Sequence, residues 1–255
     1  MSRPAISASL RVGSMVFTAS LLLLWTWIAH KRWVSPVFLP APIDALRALW
    51  DGMVQGELAS RTLLTVERMF YGWVLASIAG VAIGALIGLS ATARGWLLPT
   101  LELLRPLPAS SLIPVGIALV GLTNGMVVSA IVFGAVWPVL LACVHGFSDI
   151  HPRLHEVARV LRMGRVAFAW KFGLPNALPD ILAGMRLSLT ASLIVSIVGE
   201  MLSAQEGLGT TVLLAARSFR ASELYAGVFM LGLIGFISNW LLEQVENRVL
   251  RWRIS

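Results

Sequence analysis

Between Glu156 and Pro179 a polar segment lies between apolar runs that are each long enough to cross a bilayer. It carries Arg159, Arg162, Arg165 and Lys171, and it ends on two Leu-Pro steps, Leu174-Pro175 and Leu178-Pro179. A charged side chain held at the centre of a membrane helix costs roughly 3 kcal/mol. Such a segment therefore belongs at the membrane surface, facing water or a soluble partner. The remainder of the chain demands a bilayer. Of its 255 residues, 57% are hydrophobic and 13% charged, whereas soluble domains average about 45–50% and about 25%. At roughly 20 apolar residues per crossing, roughly five to seven spans fit in one domain. The formal charge of +7 is the usual excess of basic loops on one membrane face rather than a nucleic-acid footprint, since no basic stripe interleaved with aromatics is present.

Six spans read out, at about 12–30, 68–89, 109–123, 126–147, 181–202 and 224–243. The first starts basic (Arg3, Arg11) like a signal peptide. It continues through Trp25, Trp27 and Ile28 with no small-residue cleavage site, so it reads as a retained helix. The second is rich in glycine (Gly72, Gly80, Gly84, Gly88), and Gly80, Gly84 and Gly88, four residues apart, share one face, a pattern that lets helices approach closely in lipid. The third is short and contains Pro114; Asn124-Gly125 reads as a turn after it. Pro138 lies inside the fourth, and both prolines are candidate hinges. The stretch 90–108 reads as a loop. Around 33–60, Pro36, Pro40 and Pro42 interrupt helix, and residues 43–50 then alternate apolar and charged side chains at helical spacing, as an amphipathic helix at the interface does. The single cysteine, Cys143, lies in an apolar run and reads as a small packing residue.

An even number of spans puts both termini on one face. Basic residues are more numerous on the face holding the termini, 90–108 and 148–180, which makes that face cytoplasmic, although Lys31-Arg32 falls on the other. In the polar segment, Pro152 suits the first position of a helix, Glu156 suits its positive end, and Leu154, Ala158, Leu161 and Arg165 fall near one face. The two Leu-Pro steps are expected to end that helix and set the angle into the fifth span. Two charges lie in that span. Arg186, near its inner end, could snorkel to headgroups, and Glu200, near its outer end, requires a partner, a cavity or an interface. His145, His151 and His155 are close in sequence, but their elements point them apart, so no metal site is expected.

The polar segment resembles the coupling motif of ABC importer permeases: Glu-Ala-Ala, three residues, Gly, nine residues, Ile, one residue, Leu-Pro. Aligned on Leu174-Pro175, Glu156 and Ala158 match, Val157 replaces the middle Ala, Phe172 replaces Ile, and Arg162 stands at the Gly position with Gly164 two residues on. Further stretches resemble the nitrate, taurine and aliphatic-sulfonate permeases. They are Phe38-Leu39-Pro40-Ala41-Pro42, Arg105-Pro106-Leu107-Pro108, Leu182 to Leu187, Gly199-Glu200-Met201-Leu202 and Glu206-Gly207-Leu208-Gly209.

The resemblance implies an all-α, polytopic type I importer permease of about six transmembrane helices in one domain, residues 1–255. The core spans would cover about 68–243 and the coupling segment 152–180. It implies two copies of the chain in the bacterial inner membrane with cytoplasmic termini, two cytoplasmic ABC ATPase subunits that bind the ATP and Mg, and an external or periplasmic substrate-binding protein. The solute would be a small organic or inorganic anion such as a sulfonate, taurine or nitrate. The chain carries no Gly-x4-Gly-Lys-Ser/Thr phosphate loop, so it is not expected to be an enzyme or to bind a cofactor itself. On this reading Glu156, Val157, Ala158, Leu161, Arg162, Gly164, Arg165 and Pro175 serve ATPase coupling, with Gly164 supplying the turn that a Gly at 162 would make. Pro114, Pro138, Arg186 and Glu200 are the pathway or gate candidates. An ion-coupled secondary transporter or channel is the alternative, but it needs paired intramembrane carboxylates and inverted repeats, and the spans hold almost no carboxylate besides Glu200.

Overall fold

In the computed structural model, residues 8–253 are described, and they form helices joined by short turns with no strand among them. Five helices are long and apolar enough to span a membrane: α1 (Ala8–His30), α3 (Leu58–Gly88), α6 (Asn124–Ser148), α9 (Leu174–Ser203) and α11 (Ala221–Val249). A sixth crossing arises if α4 (Ala91–Leu104) and α5 (Ala109–Val120), bent by 85°, count as one broken span. Five of the six spans expected from sequence are therefore present as single helices, whereas the third, at 109–123, is the short α5, too short to cross unless joined to α4. The 90–108 stretch, expected as a loop, is mostly α4, capped at its start by Ser90, whose hydroxyl accepts from the Ala93 N–H. Asn124 and Gly125, expected to turn, are instead the first residues of α6. Thr123 caps that helix by accepting from the Met126 N–H, and the turn falls at Gly121, where φ is 79°. Only glycine adopts that conformation without strain.

The chain divides into two compact units. One comprises residues 1–59 and 211–230 and contains the described part of α1, the amphipathic helix α2 (Pro42–Val54), most of α10 (Leu208–Arg217) and the start of α11. Trp25 organises it. The indole N–H donates to the Pro40 carbonyl at 3.0 Å, and the ring packs on Tyr225 and Phe229.

The second unit comprises residues 60–210 and 231–255. Its core is α3, α6 and α9 in close contact. A methyl group at Gly80 would lie 2.9 Å from Val139 Cβ, at Gly84 2.6 Å from Cys143 Cβ, and at Gly88 2.7 Å from Phe147 Cβ. Each four-residue step on α3 thus meets a near four-residue step on α6, which is what a stripe of small residues provides when lipid supplies no hydrophobic drive for association. Cys143 is fully buried in this seam. On the other side of α6, Gly146 meets Ala177, Gly184 meets the Pro138 carbonyl and Ala142, and Gly199 meets Val127, so α9 runs antiparallel to α6. Ser188, Ser192 and Ser196, four residues apart on α9, are all fully buried, and the Ser188 hydroxyl donates to the Ala135 carbonyl at 2.7 Å. Pro114 lies inside the short α5, and Pro138 lies inside α6 at the α9 contact.

Candidate functional sites at the two ends of the bundle

The polar segment folds as α7 (Pro152–Val160), a turn, α8 (Arg165–Phe168) and one π turn (Ala169–Gly173) that leads into α9. Pro152 occupies the first turn of α7, where its missing N–H costs nothing, and His151 caps it by accepting from the Arg153 N–H. Glu156 lies beyond that first turn and is exposed, so it neither caps α7 nor sits at its positive end. The helix closes at Arg162, whose φ is 48°. The Met163 N–H donates to the Ala158 carbonyl at 2.9 Å and the Arg162 N–H to Arg159 at 3.1 Å, the paired bonds of a left-handed helix terminus. Gly164, expected to supply this turn, is not in a left-handed conformation; Arg162 takes the glycine's part despite its Cβ.

The Leu-Pro steps do not end a helix either. Helical backbone runs continuously from Val166 to Ser203. The Leu174 N–H reaches back five residues to the Ala169 carbonyl, and this wider turn takes up Pro175, which has no N–H and would crowd the carbonyl four residues before it. Pro175 and Pro179 then lie in the first turns of α9.

The faces of α7 differ from the expected set. Ala158 is 7% exposed, turned onto the protein itself, whereas Val160 is 82% and Leu161 62% exposed. Val157 and, beyond the turn, Val166 and Trp170 are exposed too. Leu154 is intermediate and Arg159, Arg162 and Gly164 are exposed. The side chains of Arg165 and His155 lie outside the described residues. The segment therefore shows an apolar outer face set among arginines.

At the opposite end of α9, Glu200 is fully buried and fully bonded. Its carboxylate accepts from Arg68 Nη1 at 2.8 Å, from Thr65 Oγ1 at 3.0 Å and from the Gly209 N–H at 2.9 Å. Arg68 also donates to the Glu206 carbonyl at 2.7 Å and to Asn124 Oδ1 at 3.1 Å. Thr65 in turn accepts from the Leu208 N–H at 2.8 Å. One buried ion pair thus fastens the start of α3, the start of α6, the end of α9 and the first turn of α10. Gly207 and Gly209 are required because a methyl at either would overlap Glu200 or the neighbouring backbone. The sequence singled out Glu200 but not Arg68, which stands at the edge of the expected second span. The available signal was a carboxylate near one span's end and an arginine near the start of another, each of which needs a partner in lipid.

Arg186 does not snorkel; it pairs with Glu246 on α11. His145 lies 3.4 Å from Asp180, and His151 is the α7 cap, so these two histidines have separate partners.

A sequence model of the family described as "binding-protein-dependent transport system inner membrane component" matches residues 76–251. The chain is 28% identical over 246 residues to the putative aliphatic sulfonates transport permease protein SsuC of Bacillus subtilis, covering 94% of this chain and 87% of that one. It is 27% identical over 249 residues to the taurine transport system permease protein TauC of Escherichia coli, covering 96% and 90%. It is 28% identical over 218 residues to the nitrate import permease protein NrtB of Leptolyngbya laminosa, covering 82% and 78%.

Proposed function

This chain belongs to the family of binding-protein-dependent transport system inner membrane components, and on that premise we propose that it is the permease subunit of an ATP-driven importer of a small anion. The relatives are named for sulfonates, taurine and nitrate, all small solutes bearing an anionic oxygen group. The chain binds neither ATP nor Mg; both belong to two cytoplasmic ATPase subunits. An external binding protein delivers the solute, two copies of the chain form the pathway, and both termini are cytoplasmic. Residues 1–255 act as one permease domain.

The observation that carries this reading is the apolar outer face of α7. Val160 and Leu161 are 82% and 62% exposed on a short helix otherwise bearing exposed arginines. A helix of this kind is suited to a groove on a soluble partner, with Val157, Val160 and Leu161 inside and Arg162 at the rim. Ala158, on the opposite face, holds α7 against the bundle. A shift of the docked helix is therefore passed to the bundle as a rigid-body displacement, and the coupling works only if the docked contacts differ between the two states of the ATPase pair. Glu156, exposed on α7, meets a basic group on the ATPase in this reading, and Pro114 and Pro138, inside α5 and α6, serve as its hinge points.

Val160→Asp tests this. It puts a carboxylate where the groove offers no partner, at a cost of about 2 kcal/mol or more, while the free permease loses nothing because the side chain is exposed. The purified chain should keep its thermal midpoint, lose co-purifying ATPase by at least roughly tenfold, and lose solute uptake in cells. Uptake and ATPase retention equal to those of the unmodified chain would refute the docking reading.

A further inference from the structure

We propose that the α7 end of the bundle holds one anionic phospholipid, its phosphate against Arg94 and Arg159 and one acyl chain in the apolar groove beside α3. The proposal rests on the reading that α7 lies at the membrane surface, and it is independent of the transported solute. Two clefts meet at this end. The first, of about 660 Å³, lies between the end of α3, the start of α4, the end of α6 and the inner face of α7. Its polar lining is Ser90, Thr92, Arg94, Ser148 and Arg159, with no carboxylate. The second, of about 440 Å³, is apolar except for Ser90 and runs from Leu89 along α3 to Ala85 and Val81, with Trp170 on its other wall. Leu89, Ser90 and Phe147 line both, so the two are continuous.

This combination selects an amphiphile. A soluble phosphate would satisfy the arginines and leave the groove unused; a neutral apolar molecule would fill the groove and leave the arginines. Arg94 is held in position because Nη1 donates to the Gly88 carbonyl at the end of α3, at 2.8 Å. The guanidinium carries further donors for phosphate oxygens. The groove covers eight residues of α3, about 12 Å, and an acyl chain of that extent would descend beside the apolar part of α3, away from the polar cleft. Trp170 is 68% exposed at the groove, the position of an interfacial aromatic between headgroup and chain. Because Ala158 and Arg159 of α7 form one wall, the bound lipid touches the element that the ATPase levers, and lipid composition becomes an input to coupling.

The test is native mass spectrometry of the purified full-length chain, delipidated in detergent and titrated with phosphatidylglycerol or with phosphatidylcholine. At about 1 kcal/mol per arginine near a headgroup, two arginines give phosphatidylglycerol roughly a thirtyfold advantage at one site. Arg159→Gln, an exposed position, should weaken phosphatidylglycerol about fivefold and leave phosphatidylcholine unchanged. Arg153→Gln, exposed on the same helix but outside the cleft, should change neither. Equal binding of the two lipids would overturn the proposal, as would equal weakening by Arg153→Gln. Displacement of phosphatidylglycerol by millimolar inorganic phosphate would overturn it also, because it would assign the site to a soluble anion. Loss of ATPase docking in Val160→Asp with phosphatidylglycerol preference intact would separate this site from the coupling reading.

Discussion

Removing the arginine of the buried pair should harm this protein more than neutralising the glutamate, and the geometry gives the reason. In Arg68→Met, Glu200 keeps the Thr65 hydroxyl and the Gly209 N–H but loses its cation, in a site where its exposure is 0%. Stripping one partner from a buried pair costs about 3–5 kcal/mol, since the remaining charge is desolvated without compensation. In Glu200→Gln, Arg68 keeps two neutral acceptors, the Glu206 carbonyl at 2.7 Å and Asn124 Oδ1 at 3.1 Å. That loss is one charge-assisted bond, about 1.5–3 kcal/mol. At about 2–4 °C per kcal/mol for a chain of this size, Arg68→Met should lower the midpoint of thermal unfolding in detergent by about 10 °C and Glu200→Gln by about 5 °C. The double variant should fall well short of their sum, because two directly bonded residues couple by about 0.5–3 kcal/mol. Strict additivity, or a larger loss in Glu200→Gln than in Arg68→Met, would refute the claim that one desolvated pair fastens these four elements.

Gly84→Leu should prevent α3 from closing on α6, because even its Cβ would lie 2.7 Å from the Leu140 carbonyl, which is backbone and cannot move aside; about 3 kcal/mol is expected. Size-exclusion chromatography should show loss of the monodisperse chain, with Gly232→Leu, which meets nothing within 4 Å, unchanged. Arg162→Gly should raise the thermal midpoint by about 2 °C. It removes about 1–2 kcal/mol of left-handed strain at φ 48° and returns about 0.5–1 kcal/mol through the greater freedom of the unfolded chain. A lowered midpoint would mean that the Arg162 side chain, not its backbone, matters to the fold. Gly207→Ala should lower the midpoint by about 5 °C through overlap with the Glu200 carboxylate; an unchanged midpoint would show that the loop can move off the ion pair.

The spans were legible because burying roughly 20 apolar residues in hydrocarbon is a local property of a segment. The amphipathic α2 and the small-residue face of α3 were legible for the same reason, since helical periodicity alone defines them. Pro152 likewise announced the start of α7. What the local pattern missed was whatever depended on a partner. Arg186 looked ready to snorkel until Glu246 of α11 came beside it. Ala158 and Leu161 looked like one face, yet one is turned onto the protein and the other faces away. The Leu-Pro steps carried the signature of a helix end, but one π turn absorbed Pro175 and let the helix continue.

The sequence by itself therefore determined that this chain crosses a membrane several times and which helix faces are small enough to pack closely, and it marked out a basic segment between the apolar runs. Each follows from composition and period within one stretch. Tertiary structure decided who pairs with Glu200 and that Arg94 and Arg159 share a cleft with an apolar groove. Those outcomes bring together residues 132 apart for Arg68 and Glu200 and from α3, α4, α6 and α7 at the cleft, and no periodicity within one segment encodes such a meeting.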